Sequence, residues 1–235
     1  ECAVSRKADD SPVTVADQAA EKIILRGLRE AYPDTPCVAE EEVAGGHLPP
    51  ELGNAFFLID PLDGTKEFIN KRPDFTVNIA LVRHGIPEIG VVYAPAAGKL
   101  FGGRPGRAEL VLVSPDGEQS ERKTIAMRAC GTKPTVVASR SHRTPETDDY
   151  IAKIGEVDLV SVGSSLKFCL LASGEADHYP RFGRTMEWDT AAGDAVLRAA
   201  GGLTRTLDGQ PLAYGKRKQA HDSDFANPHF VASAG

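Results

Sequence analysis

Between Thr14 and Tyr32 the apolar positions Ala20, Ile23, Ile24, Leu28 and Ala31 recur at i, i+3, i+4, i+8 and i+11. That spacing marks one face of a 3.6-residue period and predicts a helix. Thr14, with Asp17 three residues on, has the form of a capping box with Asp in place of Glu, and Tyr32-Pro33 supplies the stop. A short strand over 37–39 leads into Glu40, Glu41 and Glu42. Residues 56–59, 75–82 and 89–93 are apolar or alternating runs rich in β-branched and aromatic side chains, so three strands are expected. His84-Gly85 between the last two makes them antiparallel neighbours. A weaker strand over 108–113 ends in the turn chemistry of Ser114-Pro115-Asp116-Gly117.

The polar segment 118–123 follows, and the chain is divided near Gly131 to Pro134, giving an α+β unit over 1–132 and an α/β unit over 133–235. In the second unit strands are predicted over 135–138, 157–162, 176–179, 203–207 and 230–232. Helices are predicted over 145–154, 166–172 and 188–200, the last stopped by Gly201-Gly202. No internal repeat appears. Meander strands with interspersed helices imply layered α+β architecture, not a simple βαβ array.

Composition narrows the classes. The 235 residues are 41% hydrophobic and 26% charged, with 23 Gly and 16 Pro, which excludes collagen, low-complexity disorder and coiled coil. A net charge of -6 argues against a nucleic-acid polymer as the main partner, because phosphate-backbone binding needs a basic surface. No apolar run approaches the roughly 20 residues of a membrane span, so no integral membrane association is expected. Cys2, Cys37, Cys130 and Cys169 lie far apart without a C-x-x-C, which reads as reduced thiols. No secretory signal is recognisable from Glu1 onward, and a cytoplasmic location is the expectation.

The chemistry concentrates in Asp60-Pro61-Leu62-Asp63-Gly64-Thr65, at the end of a predicted strand. Pro61 fixes φ and Gly64 permits a sharp turn, so two carboxylates three residues apart can aim at one point from a rigid strand end. Like charges so close raise each other's pKa unless a cation neutralises them, and Mg²⁺ prefers carboxylate, carbonyl and water oxygens. The amides of Gly64 and Thr65 can receive a phosphate oxygen. The plainer alternative is an Asx-type turn in which both carboxylates satisfy local amides. Five fixed residues coincide by chance at roughly 10⁻⁴ per chain of this length, which weakens that alternative.

Asp60 to Phe68 reads D-P-L-D-G-T-K-E-F and is followed by Phe75-Thr76-Val77-Asn78-Ile79-Ala80. With it, in order along the chain, stand Ser11-Pro12-Val13-Thr14, the Glu run, Gly90-Val91-Val92-Tyr93-Ala94-Pro95, Ser164-Ser165-Leu166-Lys167, Tyr179-Pro180-Arg181-Phe182-Gly183 and Trp188-Asp189-Thr190-Ala191-Ala192-Gly193. This set resembles the magnesium-dependent, lithium-inhibited phosphatase superfamily of inositol monophosphatase. The K-E-F ending is most similar to its CysQ-type 3′(2′),5′-bisphosphate nucleotidases. The resemblance implies a layered αβαβα sandwich with a largely antiparallel first sheet.

It also implies two or three Mg²⁺ ions. Glu40, Asp60 and the carbonyl of Leu62 would hold one, and Asp60, Asp63 and Asp189 a second. An anionic ester cannot approach four carboxylates without cations, so the assignment is physically coherent. The resemblance pairs Asp17 with Thr65 to orient the attacking water, with Glu40 as the partner for its proton; Asp17 as a helix cap is compatible with that role. Three consecutive acids leave the register ambiguous. Matching Pro36-Cys37-Val38-Ala39 to the family strand selects Glu40 as ligand, Glu41 as support and Glu42 as a solvated charge. For Asp189 the alternative is the N-cap of the following helix.

Residues resembling His142, Ser164, Lys167 and Arg181 surround the adenine and the uncleaved phosphate in bisphosphate nucleotidases. Read singly, His142 is an exposed loop residue, Lys167 a snorkelling helix lysine and Arg181 a surface ion-pair partner. Arg181 discriminates, because inositol monophosphatases carry a glutamate there. The reaction so implied is hydrolysis of the 3′-phosphate of adenosine 3′,5′-bisphosphate to AMP and phosphate, with the sulfated analogue a candidate second substrate. Competing readings are an inositol or broad sugar phosphatase, and a catalytically silent nucleotide-sensing protein on the same fold. There is no G-x-S-x-G, no H-E-x-x-H and no Walker A sequence. Lys66 and Glu67 mark the nucleotidase-like motif without a readable role. Asp194 stands where histidine is common in relatives, a further helix is expected upstream of Ser11, and a homodimer stays open.

Overall fold

In the computed structural model, which describes residues 4–6 and 12–234, β1 (Val4–Arg6) and β2 (Pro12–Thr14) form an antiparallel ribbon that leads into α1 (Val15–Ala31). Ser11 and Cys2 lie outside the described residues. Thr14 caps α1: its hydroxyl accepts from Ala16 N at 3.1 Å, and Asp17 Oδ2 accepts from Thr14 N at 2.8 Å. There follow β3 (Cys37–Ala39), α2 (Glu40–Ala44), β4 (Ala55–Asp63), α3 (Thr65–Ile69), β5 (Thr76–Arg83), β6 (Ile86–Ala94), β7 (Lys99–Arg104), β8 (Arg107–Leu112) and β9 (Lys123–Ile125). Beyond them come β10 (Thr135–Ser139), α4 (Pro145–Ile154), β11 (Asp158–Val162), α5 (Leu166–Ala172), β12 (His178–Arg181), α6 (Glu187–Ala199), β13 (Gly202–Thr206) and β14 (Phe230–Ala234).

The strands β3 to β9 form one sheet in chain order, with β3–β4 parallel and every later pair antiparallel. β4 reads as a continuous apolar run because both of its faces are covered. Phe57 and Ile59 meet Ile24, Leu25 and Leu28 of α1, while Phe56 and Leu58 face the opposite layer. A second, mixed sheet has the order β11-β10-β12-β14-β13. Ile151 of α4 packs on Val136 and Ala138 at its outer face. Between the sheets lie α5 and α6, whose Phe168, Ala191, Ala192 and Val196 join Leu58, Val82 and Val92 of the first sheet and Tyr179 and Phe230 of the second in one core. The layers therefore run αβαβα, as the sequence resemblance implies. Cys37, Cys130 and Cys169 carry free thiols, and among the described residues no helix is long and apolar enough to cross a membrane.

Six elements escape the hydrophobic pattern, among them the three-residue strands β1 and β2. α2 and α3 are five residues each, too short to show a helical period. β9 is a three-residue edge strand inside a polar stretch. β7 carries Gly102 and Gly103, which depress strand propensity, and the second glycine has a packing reason. Gly103 pairs with Gly90 of β6, and a Cβ on either would lie 2.5 Å from Val196 Cα or 2.3 Å from Ala192 O. The two glycines form a notch that seats the small-residue face of α6 directly on the sheet.

Filling that notch should be costly. Gly90→Ala is expected to destabilise by about 1–3 kcal/mol through overpacking, lowering the melting temperature by roughly 3–10 °C for a chain of this size. Gly102→Ala, one residue away on β7 with nothing within 4 Å of its added carbon, should shift stability by less than about 1 kcal/mol. Thermal melts of the two variants side by side check the contrast; equal losses would show that the notch has no packing role.

Candidate active site

Strand alternation places residues i and i+3 on opposite faces, so Asp60 and Asp63 would diverge on a regular strand. The pairing of β4 with β5 removes the conflict. Asp60 faces Asn78 and Asp63 faces Thr76, three steps on one strand against two on the other. This is a bulge with one extra residue, located at Pro61-Leu62, where Pro61 has no amide to offer the ladder. It brings both carboxylates to the same side. Gly64, at φ 92°, then turns the chain sharply into α3.

Two further acids arrive from other elements. Glu40 is the first residue of α2, directly after β3, and Asp189 lies in the first turn of α6. Asp189 is not the N-cap considered from the sequence: the helix starts earlier, with Met186 at the cap, and Asp189 Oδ2 accepts from Met186 N at 2.7 Å. One carboxylate oxygen each from Glu40, Asp60 and Asp189 lies within 4.8 Å of the others. Asp63 lines the same cavity, with Oδ2 3.4 Å from Asn78 Nδ2. Asn78 also donates to Ser165 Oγ at 3.0 Å, and Ser165 Oγ donates to the Asp189 carbonyl at 2.6 Å. A polar chain thus ties β4, β5, α5 and α6 together behind the acids.

The electrostatics follow from burial. Asp60, 1% exposed, is driven well above the usual carboxylate range by desolvation, then by the charges of Glu40, Asp63 and Asp189. Asp189 is pushed up to about 8 by desolvation, Asp63 and Glu40. Asp63 is raised by desolvation and partly restored by the Lys167 ammonium. A set of hard oxygen donors, crowded and short of positive charge, fits a divalent oxygen-seeking cation such as Mg²⁺. Leu62 N donates to Asp60 Oδ1 at 2.9 Å, and the Leu62 carbonyl accepts from Thr65 Oγ1 at 3.3 Å. The same hydroxyl lies 3.3 Å from Asp17 Oδ1. Asp17, 2% exposed, therefore caps α1 with one oxygen and meets Thr65 with the other.

The cavity, about 450 Å³, extends from these acids to a cationic wall. Lys167 is 4% exposed, and its ammonium donates to Ser164 O at 2.5 Å and lies 5.3 Å from the centre of the Tyr179 ring. Burial lowers it to about 8, against the attraction of Asp63. Arg181 Nε donates to Gly183 O at 3.2 Å, and its terminal nitrogen donates to Arg184 O at 3.0 Å. Neither residue is the surface side chain that the plainer reading allowed. His142 is lowered to about 4 by burial, Arg181 and Lys66, so it is a neutral imidazole at pH 7. Its Nε2 accepts from Lys66 Nζ at 3.4 Å, which leaves Nδ1 as the protonated nitrogen. Ser164 sits in the left-handed region at φ 50°, a strain that places its carbonyl under the lysine.

The positions expected to hold metal, substrate or the attacking water, apart from Asp17 behind Thr65, line this one cavity. Sequence reasoning passed over Asn78 and Ser165 as individual residues, although both lie inside quoted motifs. Glu41 and Glu42 are set apart from Glu40: Glu41 N donates to the buried Glu21 at 2.7 Å, and Glu42 pairs with Arg29 at 2.7 Å. Glu42 is thus an ion-pair partner and not merely a solvated charge.

With fold and cavity in view, the chain belongs to the inositol monophosphatase family, whose family model matches residues 2–233. That family generally uses Mg²⁺. Within it, the chain is 46% identical over 230 residues to 3′(2′),5′-bisphosphate nucleotidase CysQ of Escherichia coli, covering 98% of this chain and 88% of that protein. It is 45% identical to the protein of the same name from Salmonella typhimurium, over 96% of this chain and 87% of that one. The crystal structure of CysQ from Bacteroides thetaiotaomicron matches with a TM-score of 0.79 at 38% identity, covering 97% of this chain and 86% of that chain. An inositol monophosphatase from Anabaena matches with a TM-score of 0.74 at 26% identity, over 94% and 81% of the two chains.

Removal of metal should expose the crowding of the acids. Folding favours the protonated form of Asp189, from an ordinary value of 3.8 to about 8. The stability this group contributes is complete below the lower value and is lost as pH rises through the higher one. In EDTA the melting temperature should therefore fall across that window, less steeply in Asp189→Asn. At pH 8, Mg²⁺ should raise the melting temperature of the wild type by more than that of the variant, which keeps Glu40, Asp60 and Asp63 in the cavity. Equal Mg²⁺ shifts in both would remove Asp189 from the cation site.

Proposed function

We propose that this protein is a Mg²⁺-dependent phosphomonoesterase that removes the 3′-phosphate of adenosine 3′,5′-bisphosphate, releasing AMP and inorganic phosphate. The carrying observation is the polarity of one cavity, with Glu40, Asp60, Asp63 and Asp189 at one end and Lys167, Arg181 and the Lys66–His142 pair at the other. A ligand with one phosphate to be cleaved and a second to be held matches both ends. The CysQ proteins at 46% and 45% identity carry the corresponding name. Arg181 favours a second phosphate over an inositol ring, since a guanidinium makes charge-assisted, bidentate hydrogen bonds to phosphate oxygens and only weaker ones to hydroxyl oxygens.

In this reading Glu40, Asp60, Asp63, Asp189 and the Leu62 carbonyl hold two or three Mg²⁺ ions. When bound, these supply charge neutralisation and Lewis-acid stabilisation of the anionic phosphoryl group. The chain's own residues do the rest. Asp17 Oδ1 takes the Thr65 hydroxyl hydrogen, which turns an oxygen lone pair of Thr65 toward the attacking water; Glu40 receives a proton from that water. Water adds to phosphorus, the bond from phosphorus to the ribose 3′-oxygen breaks, and that oxygen takes up a proton from solvent to become the 3′-hydroxyl of AMP, which balances the proton received by Glu40. The amides of Gly64 and Thr65 face the phosphoryl oxygens. Arg181, Lys167 and Ser164 hold the second phosphate, and neutral His142 offers a hydrogen bond without adding charge. Residues 1–132 thus supply most of the cation-holding machinery, and 133–235 add Asp189 and the substrate wall. Free thiols at Cys37, Cys130 and Cys169 suit a reducing, cytoplasmic setting.

Phosphate release from adenosine 3′,5′-bisphosphate and from inositol monophosphate, with Mg²⁺, EDTA and Li⁺ arms, tests the reading. The bisphosphate should be preferred, and both EDTA and Li⁺ should suppress turnover. Thr65→Ala should lower kcat by about 10²-fold or more, and Arg181→Ala should raise KM for the bisphosphate by about 10-fold or more. Faster hydrolysis of the inositol ester overturns the substrate, and calorimetric binding without phosphate release in Mg²⁺ overturns the activity.

A further inference from the structure

A second set of polar contacts, partly buried, joins the two ends of the cavity. Glu67, in α3 and 3% exposed, accepts from Ser141 Oγ at 2.5 Å. Asp74, in the loop before β5, accepts through a single oxygen from Gly163 N at 2.6 Å and from the Arg140 guanidinium at 2.5 Å. Arg140 reaches on to the Ser161 carbonyl at 2.8 Å. The backbones are close as well: a Cβ on Gly163 would lie 2.7 Å from the Asp74 carbonyl oxygen and 2.9 Å from Glu67 Cγ. The segment leaving the Asp60–Thr65 turn is thereby fastened to the two segments that carry His142 and Ser164.

We propose that this junction, Glu67 with Ser141 and Asp74 with Arg140 and Gly163, fixes the span between the ester-cleaving end and the cationic end. It thereby determines the preference for doubly over singly phosphorylated ligands. The proposal rests on the function given above. Glu67 and Asp74 are positioning residues. An ester with one phosphate is gripped only at the carboxylate end and is indifferent to where the far wall stands. A bisphosphate must bridge both ends, and a misplacement of about 1 Å costs it up to roughly 10²-fold.

The test measures kcat and KM with Mg²⁺ for adenosine 3′,5′-bisphosphate and for p-nitrophenyl phosphate, on the wild type, Ser141→Ala, Ser141→Thr, Asp74→Asn and Gly163→Ala, each with its melting temperature. Ser141→Ala and Asp74→Asn should lower the bisphosphate-to-monoester ratio of kcat/KM by about 10-fold, chiefly through KM for the bisphosphate. Ser141→Thr, which keeps the hydroxyl donor, should hold the ratio within about threefold of wild type. Gly163→Ala should act like Ser141→Ala; where it does not fold, the Ser141 and Asp74 variants decide. Equal losses on both substrates, or a lower melting temperature with an unchanged ratio, overturn the junction's role. A wild type without preference for the bisphosphate overturns the function itself and this inference with it, whereas a wild-type preference retained by the variants overturns this inference alone.

Discussion

Four carboxylates gathered in one place are the constraint around which the molecule is arranged. Two unit charges about 4 Å apart repel by roughly 4 kcal/mol at an effective dielectric of 20. A typical net hydrogen bond contributes only about 1 kcal/mol. The hydrogen bonds around the group, from Leu62 N to Asp60, from Asn78 to Asp63 and from Met186 N to Asp189, therefore orient the acids without offsetting their repulsion. Protons balance it in the metal-free protein, as the raised positions of Asp60, Asp63 and Asp189 record. Cations would balance it better, because each ion attracts several oxygens at once. The crowding thus suits small hard cations, and the surrounding fold holds it in place.

Three elements from distant parts of the chain must keep their ends together to maintain that crowding, and α6 is the least expected of them. It bears Asp189, yet it belongs to the second half of the sequence and lies on the first sheet. The glycine notch of β6 and β7 sets its height. Its first turn is fixed by Glu187, fully buried, which accepts from Gly215 N at 2.6 Å and Lys216 N at 2.8 Å. Its middle is fixed by Asp194, which accepts from Arg198 at 2.9 Å, Thr204 at 2.7 Å and Tyr214 at 3.1 Å. Asp194, where relatives commonly have histidine, is therefore a satisfied structural anion remote from the chemistry. Both acids are buried charges whose value lies in where they hold the helix.

Much of this was legible in the residue pattern. The period over 14–32, the helix over 145–154, the apolar runs of the first sheet and the Asp60–Thr65 turn all announce themselves, because each is a local consequence of side-chain order. What could not be read is non-local or depends on parity. The one-residue bulge that turns Asp63 to the side of Asp60 is a property of the pairing with β5, and nothing in D-P-L-D states it. The cap of α6 at Met186, three residues before Asp189, puts Asp189 in the first turn and not at the cap. Glu67 was conspicuous as part of K-E-F, but its partner Ser141 is 74 residues away and becomes visible only when the halves are assembled. His142 is a comparable case: it stands on an exposed loop, as it reads singly, and only the assembled structure brings it to the cavity, where partial desolvation, then Arg181 and Lys66, lower it to about 4.

The division of labour in the cavity explains how one fold can serve different phosphate esters. In the proposed reaction cleavage depends on oxygen donors and on Thr65 with Asp17, and every monoester offers that end the same group. Discrimination between substrates requires a difference in transition-state binding, which can come only from contacts to the rest of the molecule. Here those contacts are cationic and buried, so they bind strongly only a ligand that supplies compensating negative charge. A neutral polyol would leave Lys167 and Arg181 without an anion while offering hydroxyl hydrogens that neither can accept. The carboxylate end thus determines what kind of bond is broken, and the opposite wall determines whose bond it is.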